Sequence, residues 1–367
     1  MAQYILKRLL LMIPTLLGIM LVSFVIVQFV PGGPVERMIA ELQGHGTDST
    51  ARFSGGASAD MTSAMATQSA GQSNKYRGGQ GLDPEFIAEL EALYGFDKPA
   101  HERFFQMVGN YARFDLGTSY YRDVSVIDLV LEKMPVSISL GLWSTLIIYL
   151  ISIPLGIKKA VKDGEAFDIW TSVGVFVGYA IPSFMFAILL IILFAGGRYF
   201  DLFPLRGIIS DDWQDMSWWQ VVLDYMWHMT LPTLAMVISG FAGLTMLTKN
   251  SFLDEIGKHY VLTARAKGLS QKQVLYGHVF RNAMLIVIAG FPSAFLAIFF
   301  TGSLLIEVIF SLDGLGLLSY ESVMNRDYPV VLGTLYIFSL MGLVMTLIRD
   351  VVYVLVDPRI DFEARQV

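Results

Sequence analysis

The sequence predicts an all-α membrane protein with six transmembrane helices, and three observations carry that prediction. Only 16% of its 367 residues are charged and mean hydropathy is +0.56, whereas soluble domains carry about 25% charged residues. Six apolar runs lack Asp, Glu, Lys, Arg and His altogether, and each is close to the roughly 20 residues that a helix needs to cross a bilayer. Backbone groups have no water partners in lipid, so such runs must satisfy them internally as helices.

The first run, Leu9–Val30, follows Lys7 and Arg8. It is too long for a signal-peptide core of about 7–15 residues. It ends in Pro31-Gly32-Gly33-Pro34 rather than a small-x-small cleavage site, so residues 1–30 read as a retained N-terminal transmembrane helix. Residues 31–135 form the one long external segment. Within it, 44–81 is rich in Gly, Ser, Ala and Thr and reads as flexible, and 83–133 reads as folded. Asp83-Pro84-Glu85 is a helix start, Ile87, Leu90 and Tyr94 share a face, and Gly95 is a stop. The second and third runs are Val136–Ile157 and Ile169–Ala195. The loop 196–229 is acidic and aromatic, and Trp213, Trp218, Trp219 and Trp227 suit a lipid interface. The fourth run is Thr230–Thr248, the fifth Met284–Ile306 and the sixth Val330–Ile348, followed by a polar tail at 358–367. Pro14, Pro154, Pro182, Pro232 and Pro292 each lie inside a run, where proline bends a helix or breaks it.

Loop charges orient the chain. With both ends on one side, the short segments of that side carry 14 Lys and Arg, and the two short loops opposite carry three. The long external segment crosses largely regardless of its charge, so the bias puts both termini in the cytoplasm.

Enzyme signatures are missing. The chain has no cysteine, so no thiolate site. His45, His101, His228, His259 and His278 are scattered without metal-ligand spacing, and a phosphate-binding glycine loop is absent. Arg77-Gly78-Gly79-Gln80-Gly81 has no such loop beside it and reads as a glycine-rich turn. Nor is there the basic tract that tracks nucleic acid. Catalytic, cofactor-binding and metal sites are all expected to be absent. Intramembrane charges usually mark ion- or proton-driven carriers, and these spans hold none. Glu307, Arg349 and Asp350 stand at span ends, where they read as interfacial groups reaching water or a partner. If the chain transports, its energy comes from another subunit.

The polar stretch from Ser251 to Ala283 is where that energy would enter. With Lys249 at its edge it carries Lys258, Arg265, Lys267, Lys272 and Arg281 against Asp254 and Glu255 alone. Residues 260–268 read as a short helix ended by Gly268. Thr263, Ala264 and Ala266 keep it slim, which suits insertion into another protein's groove, and Arg265 and Lys267 suit its C-terminal dipole. A second short helix reads as Gln271–Phe280, before Arg281 and Asn282 at the membrane edge. Physics leaves two readings of this loop, a docking element for another protein or a basic surface resting on anionic headgroups.

Thr263-Ala264-Arg265-Ala266-Lys267-Gly268-Leu269, followed by His278-Val279-Phe280-Arg281-Asn282-Ala283, resembles the cytoplasmic "EAA" loop of ABC-importer permeases in its peptide-permease form. Further stretches are similar to the same dipeptide/oligopeptide permease family: Tyr4–Pro31, Gly95–Pro99, Gly302–Glu307, Gly314–Gly316, Arg326–Pro329 and Val356–Arg359. Tyr76–Phe105 and Phe200–Arg206 are most similar to its Yej-type oligopeptide members. The loop departs from the family at one place: the Glu-Ala-Ala positions hold Leu262, Thr263 and Ala264, so no role of that glutamate carries over.

The resemblance implies a type I importer fold, with a permease domain at 136–357, a coupling loop at 249–283 and a periplasmic segment at 31–135. It implies a bacterial inner-membrane subunit that moves oligopeptides or peptide-like solutes and hydrolyses nothing. It also implies its partners: a second homologous permease in a heterodimer, ATPase subunits carrying ATP and Mg on the cytoplasmic side, a periplasmic peptide-binding protein and the surrounding lipid. The ATPase would dock on Tyr260, Thr263, Ala264, Arg265, Ala266, Lys267 and Gly268. Import of nickel or another small solute is the alternative inside the family, and a non-transporting membrane anchor is the alternative outside it.

Overall fold

The structure is a computed structural model, and it describes residues 2–29, 85, 97–197, 199–301 and 303–356. The segment 44–81, the Gly95 stop, the tail 358–367, His45 and the Arg77–Gly81 turn lie outside the described residues. So does the helix start at Asp83, apart from Glu85, which is helical. Among the described residues there are helices and turns but no strand, and the one β-bridge joins Thr118 to Ser125.

In chain order the helices are α1 (Ala2–Phe29), α2 (Ala100–Tyr111), α3 (Val126–Val161), α4 (Ala166–Ala180), α5 (Ser183–Phe194), α6 (Trp218–Ile256), α7 (His259–Ala266) and α8 (Gln271–Val274). A π-helical turn, Leu275–Val279, leads from α8 into α9 (Phe280–Thr301). The series closes with α10 (Ser303–Ile309), α11 (Leu315–Asn325) and α12 (Tyr328–Val356). Among the described residues, five helices are long and apolar enough to cross a membrane, and the bent pair α4 and α5 makes a sixth crossing if counted as one. The six-span, all-α expectation therefore holds.

Among the described residues, one proline inside an apolar run breaks its helix. Pro14, Pro135, Pro154, Pro232 and Pro292 remain inside helices, whereas α4 and α5 meet at 92°. The ring of Pro182 pushes the residue before it out of the helical region, and Ile181 is extended with φ −85° and ψ 119°. α5 then restarts with Pro182 at its N-cap.

The chain forms two compact units. One comprises residues 1–9, 133–317 and 341–367. Its hub is α6, which packs against α4, α5, α9 and α10. One buried cluster there joins Val136 and Leu140 to Leu190, Leu231, Met236, Ile306 and Phe310. A second joins Ile157 and Ala160 to Phe252, Val261, Ala264, Val274, Val279 and Ala283. The other unit comprises residues 10–132 and 318–340. It is held by aromatic pairs, Phe24 with Phe104 at 5.5 Å and Tyr111 with Tyr336 at 5.2 Å between ring centroids. Arg103 Nη2 donates to Gln28 Oε1 at 2.7 Å there, and the Asp327 carboxylate accepts from the Ser119 hydroxyl and, at 3.1 Å, from the Tyr120 N–H.

Candidate functional site: a polar loop stapled to the bundle

The loop sits on the cluster built around Phe252, which is fully buried. α6 runs to Ile256, and α7 begins after two intervening residues, with Lys258 at its N-cap. Glu255 fastens the turn. It pairs with Lys258 and accepts from the Tyr260 hydroxyl at 2.6 Å. That hydrogen-bonded carboxylate raises the Lys258 ammonium, and partial burial raises the Tyr260 phenol.

α7 places Val261 and Ala264, three residues apart, on its buried face. Ala264 is thus small because it meets the chain's own core, not because it enters another protein's groove. The outer face holds Leu262, 56% exposed, with Thr263, Arg265, Ala266 and Lys267 also exposed. Of the seven residues assigned to docking, five (Thr263, Arg265, Ala266, Lys267 and Gly268) are exposed, Tyr260 is half-buried and Ala264 is buried. Leu262 stands among the exposed ones.

Gly268 ends the element with φ +83°, a left-handed conformation that side chains with a Cβ rarely adopt. Its N–H bonds back to the Arg265 carbonyl at 2.9 Å. Ser270 then opens α8 with a capping box: the Gln273 N–H bonds to its hydroxyl at 3.4 Å, and its own N–H reaches Gln273 Oε1 at 2.9 Å. The second helix does not stop at Phe280 as expected. It continues through the π-turn into α9, so Arg281 and Asn282 lie on an unbroken helix. Val274, Val279 and Ala283 keep one face of that run buried throughout. Ser251 Oγ donates to the Ala283 carbonyl at 2.6 Å and ties α6 to α9 below the loop.

Two charged groups in this unit escape sequence reasoning. Lys159, counted only as an inner-side charge, is fully buried. Its Nζ lies 2.9 Å from Asp168 Oδ1 and bonds Thr171 Oγ1 at 2.9 Å, Ser172 Oγ at 2.7 Å and the Asp168 carbonyl at 2.8 Å. Asp168 also meets Lys249 at 2.8 Å, and Lys249 reaches Asp163 at 2.7 Å. This cluster joins the end of α3 and the start of α4 to the last turns of α6, at the edge of the loop. The available signal was Lys159 and Asp168 standing nine residues apart across a turn at the edge of two apolar runs.

Glu307 is the second, and it corrects the reading of an interfacial side chain. It is fully buried. Its carboxylate accepts from the Leu317 N–H at 2.7 Å and from Ser137 Oγ at 3.3 Å, and Ser137 Oγ in turn accepts from the Leu315 N–H at 2.8 Å. Together they satisfy the first turn of α11. Gly314 makes room: a Cβ there would lie 2.5 Å from Glu307 Cδ. Asp350 is paired, with Arg8 at 2.6 Å and the Tyr4 hydroxyl at 3.0 Å.

Residues 152–362 match the family model described as the binding-protein-dependent transport system inner membrane component. The chain is 62% identical over 370 residues, with full coverage of both, to the peptidoglycan transport system permease protein YejB of Agrobacterium fabrum. It is 59% identical, again over full length, to the inner membrane ABC transporter permease protein YejB of Escherichia coli O157:H7. The oligopeptide transport system permease protein AppB of Bacillus subtilis is 32% identical and covers 99% of the chain and 100% of its own length.

Proposed function

The chain belongs to the binding-protein-dependent transport system inner membrane components, and on that premise we propose how it works. It is a multi-pass inner-membrane permease subunit of an ATP-binding-cassette importer for peptides. Importers of this family work with an ATPase and a solute-binding protein. A second, homologous permease completes the pathway as a heterodimer. Both termini and the 249–283 loop face the cytoplasm, and ATP and Mg belong to the ATPase. This chain hydrolyses nothing.

The ATPase docks on the outer face of α7. The observation that carries this is the division of that helix. Val261 and Ala264 are locked into the bundle core, while Leu262, a large apolar side chain, stands exposed among Thr263, Arg265, Ala266 and Lys267. Leu262 stands on the same exposed face as Arg265 and Lys267, not on an opposite apolar face of the kind that an interfacial helix sinks into lipid. A protein groove uses both, because an apolar anchor ringed by polar residues is the usual anatomy of a binding patch. A push on α7 passes through Val261 and Ala264 to Phe252 and Ile157, so the loop moves α3, α6 and α9 as one body.

The substrate is an oligopeptide or a peptide-like solute. The peptidoglycan named for the Agrobacterium relative points to peptide fragments of the cell wall as one such class. Deleting this subunit tests the reading. Growth on an oligopeptide as sole source of a required amino acid is expected to fail and to return with the gene. Normal growth refutes peptide import, and loss of nickel uptake instead selects the alternative solute.

A further inference from the structure

The unit of residues 10–132 and 318–340 holds a cavity of about 290 Å³ between the last turns of α1, α2 and the first turns of α12. Two cations line it, Lys98 and Arg103. Arg103 is held on two sides: its Nη2 donates to Gln28 Oε1 at 2.7 Å, and its guanidinium stands 5.9 Å from the centre of the Phe24 ring. Lys98 is exposed, and its Nζ reaches the neutral amide Oε1 of Gln106 at 3.5 Å. The one acid of the wall among the described residues, Asp115, accepts from the Gly117 N–H at 3.2 Å.

Deeper along α1 a narrow slot continues between α1 and α12, and Met107, Tyr111 and Leu332 line both spaces. Its α1 wall is Leu16, Ile19, Met20 and Ser23, which recur at helical spacing on one face. Its α12 wall continues from Leu332 through Leu335, Tyr336 and Ser339. No charged side chain lines it among the described residues. From Leu16 to Gln28, α1 rises about 18 Å, close to the roughly 15 Å that one leaflet adds to the hydrocarbon core. The cations therefore stand where the span ends, and the slot runs at the depth of the acyl chains. α1 packs lightly there: Met20 and Phe24 are its buried residues among those described.

We propose that the cavity and the slot together bind one anionic phospholipid, with its phosphate on Lys98 and Arg103 and an acyl chain along the slot. A guanidinium fixed in a plane suits phosphate oxygens, which it meets with two parallel N–H groups, and basic pockets between spans take charged headgroups. A soluble phosphate or a carboxylate uses the cations and leaves the slot empty. A zwitterionic lipid uses the slot but brings its own ammonium against Lys98 and Arg103. An anionic lipid uses both, and its chain adds apolar contact to a helix that has little of its own. The lipid thus staples α1 to α2 and α12. The inference does not depend on what the transporter carries.

The test is native mass spectrometry of the purified transporter, titrated with phosphatidylglycerol, with phosphatidylethanolamine of the same chains, or with glycerol phosphate. Phosphatidylglycerol is expected to bind the more tightly of the two lipids. Lys98→Gln is expected to weaken it about fivefold, the worth of one basic residue at a lipid surface, and Lys98→Gln with Arg103→Gln about 25-fold. Ser23→Phe fills the slot with both cations intact and is expected to lower phosphatidylglycerol binding about tenfold or more, since each buried methylene counts. Lys98→Gln alters an exposed side chain, so it decides the matter where the double variant fails to assemble. Equal binding of the two lipids overturns the inference, and so does wild-type binding in Lys98→Gln. Displacement of phosphatidylglycerol by an equal concentration of glycerol phosphate also overturns it and makes the cavity a site for a soluble phosphate.

Discussion

Moving the Lys159 ammonium out of water costs several kcal/mol, which its four oxygen partners on Asp168, Thr171 and Ser172 must offset. Asp168 is shared with Lys249 at the mouth of the loop, so this group fixes where the loop leaves the bundle. Lys159→Met leaves Asp168 one cation instead of two. It is expected to lower stability by about 3 kcal/mol, measured as the thermal unfolding midpoint of the purified complex; an unchanged midpoint shows that the cluster holds nothing. Gly314 is tested in the same way. A methyl group there displaces the Glu307 carboxylate from the Leu317 N–H, so Gly314→Ala is expected to cost about 1–3 kcal/mol. A neutral result means that the cap shifts freely.

At the scale of the element, α7 behaves as a wedge with one face inside the protein and one outside. Leu262→Ala removes the apolar anchor without touching the core. It is expected to weaken ATPase binding about tenfold, the loss of 1–2 kcal/mol of buried side chain, read as retention on the permease during purification. Gly268→Val acts through the backbone. A Cβ there meets nothing within 4 Å, but φ is +83°, so the cost is strain of about 1–2 kcal/mol. Ordinary membrane insertion with reduced ATPase retention is the expected outcome, and full retention contradicts it. Much of this element was legible in the sequence. Glycine signals are local, so the end at Gly268 could be read directly. Its facing could not: Ala264 turns inward onto a cluster that includes Ile157, more than a hundred residues earlier in the chain. The π-turn at Leu275–Val279 also escaped, since it keeps Val274, Val279 and Ala283 on one buried face and leaves no mark in composition.

For the whole molecule, hydropathy delivered the six crossings, because span length and the absence of charge are properties of each segment alone. The 92° break falls at Pro182, one of five proline candidates, while the other four stay inside their helices. The contacts that organise the charged groups span long stretches of chain, such as Ser137 with Glu307 and Asp168 with Lys249, and no local pattern announces them. The central claim is that energy enters through the outer face of α7. The chain has no cysteine, so Leu262→Cys and Ala264→Cys each supply a single thiol. The direct measurement is thiol cross-linking of each variant in the assembled transporter, with and without ATP. The account predicts an ATP-sensitive cross-link from position 262 to the ATPase and none from buried position 264. Cross-linking at neither position, with 262 modified freely by water-borne thiol reagents in the full complex, would contradict it.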